Sequence, residues 1–349
     1  MLRKFLFAAF CLLLFFYTDA QDSTKKNLIL SGSVDAYYRY NFNDAKDSAR
    51  TNNYTSFTNS HNSFELGMAS FKADYTAGKV EGVIDLGFGK RAQEFSYNDA
   101  GTLTAIKQAF VSYAPSDKIK FTMGKWATHV GYELLDAYLN RNYSMDYMFS
   151  YVPFFHTGVK VDITANSNFG FMVGVANPSD LTSANFTRKF FLAQVHVAST
   201  NTKINAYVNY VGGKDNSNAA SSQYDAVITG TISSRLSVGY NGTLKTVKPY
   251  KGNRESWWGS ALYLNYDPTS IFGVTARGEY FGDKKGVAGF GTNIYDITIS
   301  GNIHIDNLTI IPEFRFDGAD NPIFYKNTDK ISPTLKNTGT FILATTYHF

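Results

Sequence analysis

The chain has 349 residues, of which 44% are hydrophobic, 16% aromatic and only 18% charged, with a formal net charge of +4. So low a charged fraction argues against disorder and coiled coil, and so small and dispersed a positive excess argues against a basic nucleic-acid binder. With 24 Tyr, 29 Phe and 28 Gly against 8 Pro, the mixture favours strands and tight turns, because aromatic side chains suit a pleated surface and glycine suits bends.

Residues 1–20 have a basic start at Arg3-Lys4, an apolar run from Phe5 to Tyr17, and Ala20 before the expected cut. That is the plan of a cleaved secretory signal peptide. The run is shorter than the roughly 20 residues a membrane helix needs. Cys11 lies inside it and follows Phe10, where a lipidation signal wants a small residue. Residues 21–349 then form one exported domain without cysteine, hence without disulfides.

The first mature segment alternates with period two. Leu28, Leu30, Gly32, Val34, Ala36, Tyr38, Tyr40 and Phe42 fall on one face, and Ile29, Ser31, Ser33, Asp35, Tyr37, Arg39 and Asn41 on the other. Fifteen residues exceed a usual soluble strand of about five or six. They suffice for a tilted membrane-crossing strand of about 9–11. Segment 64–76 begins in one phase (Phe64, Leu66, Met68) and ends in the other (Phe71, Ala73, Tyr75), which predicts a β-bulge near Ala69 or Ser70. Alternation recurs in 79–88, 157–164, 271–281 and 307–317. Pro312 cannot donate to a ladder, so a bulge or a missing bond is expected there.

Sixteen segments follow: about 28–42, 63–76, 79–89, 104–114, 117–126, 156–164, 169–177, 189–198, 203–211, 222–231, 235–244, 257–266, 271–281, 292–302, 307–317 and 339–349. The phase is weakest in 104–114 and 292–302. Short connections alternate with long ones at 43–62, 90–103, 127–155, 178–188, 212–221, 245–256, 282–291 and 318–338. An even strand number, short turns on one side and long loops on the other define a transmembrane antiparallel up-and-down β-barrel of the Gram-negative outer membrane. Apolar faces turn outward and charged ones inward, and only a closed barrel satisfies every backbone group in lipid without helices.

Aromatics are expected to form interfacial belts: Tyr38, Tyr40, Phe42, Trp126, Tyr210, Trp257, Trp258, Tyr280 and Phe281 externally, and Tyr113, Phe169, Tyr347 and Phe349 on the periplasmic side. Phe341, Leu343, Thr345, Tyr347 and Phe349 alternate into the chain end. This resembles the signal read by barrel-assembly machinery, so Phe341, Leu343, Tyr347 and Phe349 are the assembly candidates.

Residues 121–144, Phe-Thr-Met-Gly-Lys-Trp-Ala-Thr-His-Val-Gly-Tyr-Glu-Leu-Leu-Asp-Ala-Tyr-Leu-Asn-Arg-Asn-Tyr-Ser, and Pro153-Phe-Phe-His-Thr-Gly-Val159 resemble the β-barrel porins of the OmpL-like type. The resemblance extends through Gln108–Tyr113 and Phe314–Asp317 over nearly the whole mature chain. It implies a porin-like pore protein and says little about the solute.

A barrel of about sixteen strands encloses a water-filled lumen. The expected function is passive diffusion of small hydrophilic solutes or ions, with no cofactor, no metal and no enzymatic role. Loop 127–155 carries eight Tyr and Phe residues. Such a loop avoids water and is expected to fold into the barrel mouth and narrow it. Pore-lining and constriction candidates are Arg39, Lys160, Asp162, Arg277, Glu279, Glu313, Arg315 and Asp317 on strands, with Glu133, Asp136 and Arg141 on the loop. Cations Arg39, Lys160, Arg277 and Arg315 against acids Asp162, Glu279, Glu313 and Asp317 predict a field across the pore, or else pairs along the wall. The basic stretch 245–254 reads as a solvated loop. His129 and His156 flank the long loop and are placed to meet, with polar packing as the expected role; His304 falls in a turn.

Expected partners are outer-membrane lipid and lipopolysaccharide, the barrel-assembly machinery, the solutes and a homo-oligomeric copy, with no nucleic acid. The alternative is a closed barrel acting through its external loops as an adhesin or structural protein.

Overall fold

The computed structural model describes residues 26–45, 50–215, 218–329 and 331–349. The expected signal peptide lies outside the described residues. Sixteen strands among them close into one antiparallel barrel in chain order, with β1 paired to β16. The strands are β1 (Lys26–Asn41), β2 (Ser63–Ala77), β3 (Val80–Phe88), β4 (Ile106–Ser116), β5 (Ile119–Ala127), β6 (Phe155–Asn166), β7 (Phe169–Ala176) and β8 (Phe190–Ala198). The second half holds β9 (Ile204–Lys214), β10 (Ala220–Thr231), β11 (Leu236–Lys248), β12 (Glu255–Tyr266), β13 (Phe272–Gly282), β14 (Asn293–Ile305), β15 (Leu308–Ala319) and β16 (Asn337–His348). Among the described residues two short helices, α1 (Lys90–Phe95) and α2 (Tyr147–Tyr151), lie in connections. Among the described residues no helix is long and apolar enough to cross a membrane.

The alternation in β1 sets its two faces: Val34 is exposed outward while Asp35, Tyr37, Arg39 and Asn41 are buried inward. The seam pairs Ser33 with His348 through to Asn41 with Thr340. Phe349 lies over Gly32 and exchanges backbone hydrogen bonds with it at 3.0 and 3.1 Å. A side chain at Gly32 would meet that ring. The phase change in β2 is a bulge at Gly67, between the pairs Asp35–Met68 and Ala36–Leu66. It lies two to three residues before the expected position, because alternation reports that a phase has changed but not where. At Pro312 the β14–β15 ladder is interrupted without a bulge: Ser300–Glu313 and Ile303–Ile310 pair in one register, and the positions between do not.

Two external connections are shorter than expected. Strands β9 and β10 extend until only 215–219 joins them, and β11 and β12 until only 249–254 does. Lys245 therefore belongs to β11, where its Nζ reaches the Tyr151 carbonyl at 3.5 Å. His304 lies in β14 rather than in a turn. The belt expectation is corrected at three positions. Trp126, Trp257 and Phe281 are buried inside the barrel; for the last two the reason is that of two adjacent strand residues only one can face lipid. Trp258 and Tyr280 are the outward members of their pairs.

The core is inside the barrel. One cluster gathers Trp126, Met148, Met172, Trp257, Phe281 and Phe324. A second joins Phe57, Phe95, Met145, Phe149, Phe154 and Phe155, so several connections fold into the lumen.

Candidate functional site: the lumen and its inward loop

The connection 128–154 between β5 and β6 runs through the lumen. Its two roots meet where the Thr128 N–H donates to the Phe154 carbonyl at 2.9 Å. The Phe154 and Phe155 N–H groups both donate to Asp180 Oδ1, at 2.7 and 3.1 Å. Burial raises the Asp180 carboxyl to about 6. Descending, Gly131 N–H donates to Asp225 on β10 at 3.1 Å, and Tyr132 stacks on Tyr263 of β12 with ring centroids 4.1 Å apart. Glu133 then meets Arg277 of β13 at 2.7 Å. Farther down, Asp136 pairs with Lys107 of β4 at 2.6 Å, and Tyr138 stacks on His348 of β16. Arg141 Nη1 donates to Asp267, in the turn after β12, at 3.1 Å. His348 and Asp267 both belong to the end of the barrel with short turns, so the loop spans most of the barrel height.

The ascending limb is fastened to strand acids and cations. Tyr143 and Ser144 N–H groups donate to the two Glu313 oxygens at 2.7 and 3.1 Å. Tyr147 and Met148 N–H groups, at the start of α2, donate to Glu279 at 2.6 and 2.8 Å. Arg277 donates to the Ser144 carbonyl at 2.7 Å and Arg315 to the Met145 carbonyl at 2.6 Å. Tyr147 OH donates to Asp317 at 3.0 Å, and Tyr143 OH to Asp35 at 2.6 Å. Hydrogen bonds to charged groups contribute about 1.5–3 kcal/mol each, so this set fixes one loop path.

Glu279, Glu313, Arg277, Arg315, Asp317 and Glu133 thus come together around residues 143–148. Asp136 and Arg141 lie lower on the same loop. Arg39 stands apart: it holds the β1–β2 connection by donating to the Thr51 carbonyl at 2.9 Å. Lys160 and Asp162 pair with each other on β6 at 2.9 Å. Arg315 likewise takes Asp317 at 2.7 Å and Asp296 at 3.2 Å. Apart from Arg39, the predicted wall cations sit beside acids rather than across a gap from them.

Asp296, Lys107, Tyr263 and Arg91 also belong to the loop's surroundings and are not among the candidates expected from sequence. Arg91, on α1, is fully buried between the rings of Phe57 and Tyr143, at 4.9 and 5.0 Å, and donates to the Leu135 carbonyl at 3.0 Å. Lys107 and Asp296 lie on the two strands with weak phase, and no signal in the sequence marks Arg91. Glu133 lies beside Asp146 as well as Arg277, and burial with that acid pushes its carboxyl up to about 8. Between loop and wall lies a cavity of about 260 Å³ lined by Tyr132, Glu133, Asn140, Arg141, Tyr263 and Asn265.

A closed sixteen-stranded barrel with apolar faces outward and charges inward is an outer-membrane barrel of porin architecture. The chain belongs to the family described as "Putative beta-barrel porin-2, OmpL-like", whose model matches residues 27–349. Solved structures with the same fold include an anion-selective porin from Comamonas acidovorans, 10% identical, covering 93% of this chain and 100% of that one with a TM-score of 0.61. The outer membrane channel DcaP of Acinetobacter baumannii is 11% identical, covering 93% and 97% with a TM-score of 0.61. OmpT, an outer membrane protein of Vibrio cholerae in its trimer form, is 12% identical, covering 93% and 99% with a TM-score of 0.61. At these identities the likeness concerns the fold. No curated protein matches the chain.

Proposed function

We propose that this outer-membrane protein is a porin for passive diffusion of small hydrophilic solutes or ions, and that loop 128–154 is its constriction. The observation that carries this reading is the fastening of the loop to charged lumen residues, above all the paired backbone N–H donors to Glu279 and Glu313. A charged, hydrogen-bonding constriction selects by cross-section and charge. Arg277, Glu279, Glu313, Arg315 and Asp317 seat the loop. Lys160 and Asp162 line the wall away from it. The passage accepts solutes smaller than an open sixteen-stranded pore would. Lipopolysaccharide, the assembly machinery acting on the last strand, and a homo-oligomeric copy complete the proposed partners.

The depth of the loop favours a second reading, a closed barrel whose external connections bind partners. Liposome swelling with a size series of neutral sugars separates the two. Swelling with small sugars that vanishes with increasing size supports the porin. No swelling in liposomes that demonstrably contain the folded barrel supports the closed barrel.

A further inference from the structure

His129 begins the lumen loop and His156 follows its end. Their rings lie beside each other, with centroids 5.2 Å apart and planes inclined by 44°. Each ring turns Nε2 to an oxygen at 3.3 Å: His129 to the Tyr210 carbonyl, His156 to the Thr128 hydroxyl. A carbonyl only accepts, so His129 carries its proton on Nε2 and its Nδ1 is a bare lone pair. The Thr128 hydroxyl, which accepts from the Val130 N–H, can turn to accept from His156 Nε2 as well, and in that tautomer the same holds for His156. Both Nδ1 atoms are buried and make no hydrogen bond of good geometry, while the Ala193 backbone carbonyl also lies against the His129 ring.

Polar packing, the expectation from sequence, leaves those two nitrogens unexplained. A ligating histidine characteristically gives its other ring N–H to a carbonyl or hydroxyl, which fixes tautomer and orientation. With a metal–nitrogen bond of about 2.0–2.1 Å and a tetrahedral angle, two ligating imidazoles place their centroids about 5 Å apart. Lys160, the nearby cation, is paired with Asp162, and Asp225 faces His129 from β10.

We propose that His129 and His156 form a two-histidine site for a borderline divalent transition-metal ion such as Zn²⁺, bound through both Nδ1 atoms. No group of three or more His, Cys, Asp or Glu placed to hold a metal exists among the described residues, so the remaining positions fall to water. An ion there ties the two roots of loop 128–154 together, beside the bond from Thr128 to Phe154. Imidazole pairs suit Zn²⁺ and Ni²⁺, and do not suit Mg²⁺ or Ca²⁺.

The test is calorimetric titration of the untagged, refolded full barrel with ZnCl₂, with MgCl₂ and CaCl₂ as controls. It reads binding without current, so its outcome is independent of the porin reading. The expected result is one saturable Zn²⁺ site per chain, weakened roughly tenfold or more by His129→Gln or His156→Gln. Binding should be unchanged when His61, His196 and His304 are replaced together. No saturable Zn²⁺ binding, or binding that survives His129→Gln in a barrel that still migrates as folded, overturns the proposal. Should both variants misfold, the native protein decides by carbethoxylation mapped by mass spectrometry. Zn²⁺ must protect His129 and His156 selectively; equal modification with and without the ion overturns the site.

Discussion

Inside the barrel the Arg277 guanidinium and the Glu133 carboxyl group meet at 2.7 Å, one on a strand of the wall and the other on the loop that fills the lumen. Arg277 also takes Asp296 at 3.3 Å and the Ser144 carbonyl at 2.7 Å, so one side chain joins wall, descending limb and ascending limb. Removing one partner of a buried pair costs about 3–5 kcal/mol, because the other charge is left without a partner. Arg277→Met is expected to weaken loop seating by that order and to raise single-channel conductance. Measured above about pH 8, where Glu133 is ionised, adding Glu133→Gln in the same chain should recover part of the loss. Equal conductance in all three proteins would remove Arg277 from this role.

Glu133 gives the seating a pH dependence. Its carboxyl is raised to about 8 by burial and by Asp146, above its value in a solvated loop. A raised acid favours the seated loop fully below the solvated value and loses that contribution as pH rises through the seated value. Conductance is therefore expected to increase progressively from about pH 5 to about pH 8. Glu133→Gln should flatten the profile. A profile unchanged by that substitution would assign the titration to another group.

Tyr143 OH donates to Asp35 at 2.6 Å, and the Asp35 carboxylate also lies 3.7 Å from Arg91. Tyr143→Phe keeps the ring packing and removes the donor. The expected cost is about 1–3 kcal/mol, read as a lower urea midpoint for protection of the loop from protease. Arg91→Met should weaken the same region, since Arg91 is packed against the rings of both Phe57 and Tyr143.

Gly67 tests the bulge. A Cβ there would fall on the Asp35 carboxylate and close to the Tyr143 hydroxyl. Gly67→Val is expected to lower the yield of heat-modifiable, folded barrel several-fold. Gly82→Val, on the lipid face with open space around it, should leave the yield unchanged. Equal yields would show that the bulge tolerates a side chain.

The strands were legible because alternation is local: β1 can be read from Leu28 to Phe42 without reference to any other segment. The inward strand candidates were legible for the same reason. What the loop touches was not. Tyr143 meets Asp35 across 108 positions and Glu313 across 170, and nothing near any of them records the meeting. Lys107 and Asp296 were hidden by weak phase in β4 and β14. The belt assignment of Trp257 and Phe281 failed because an aromatic near a strand end suits the interface and the core equally; only the phase separates them. The meeting of His129 and His156 was legible from their positions at the two roots, while their orphaned nitrogens required coordinates.

The most direct measurement compares single-channel conductance of the refolded barrel with that of a variant in which residues 132–150 are replaced by a short glycine-serine linker. The roots remain joined in that variant, since Thr128 and Phe154 already bond to each other. Small, discrete steps are expected for the intact chain and several-fold larger ones for the variant. Silence from both proteins after verified insertion, or steps of equal size, would contradict a porin constricted by this loop.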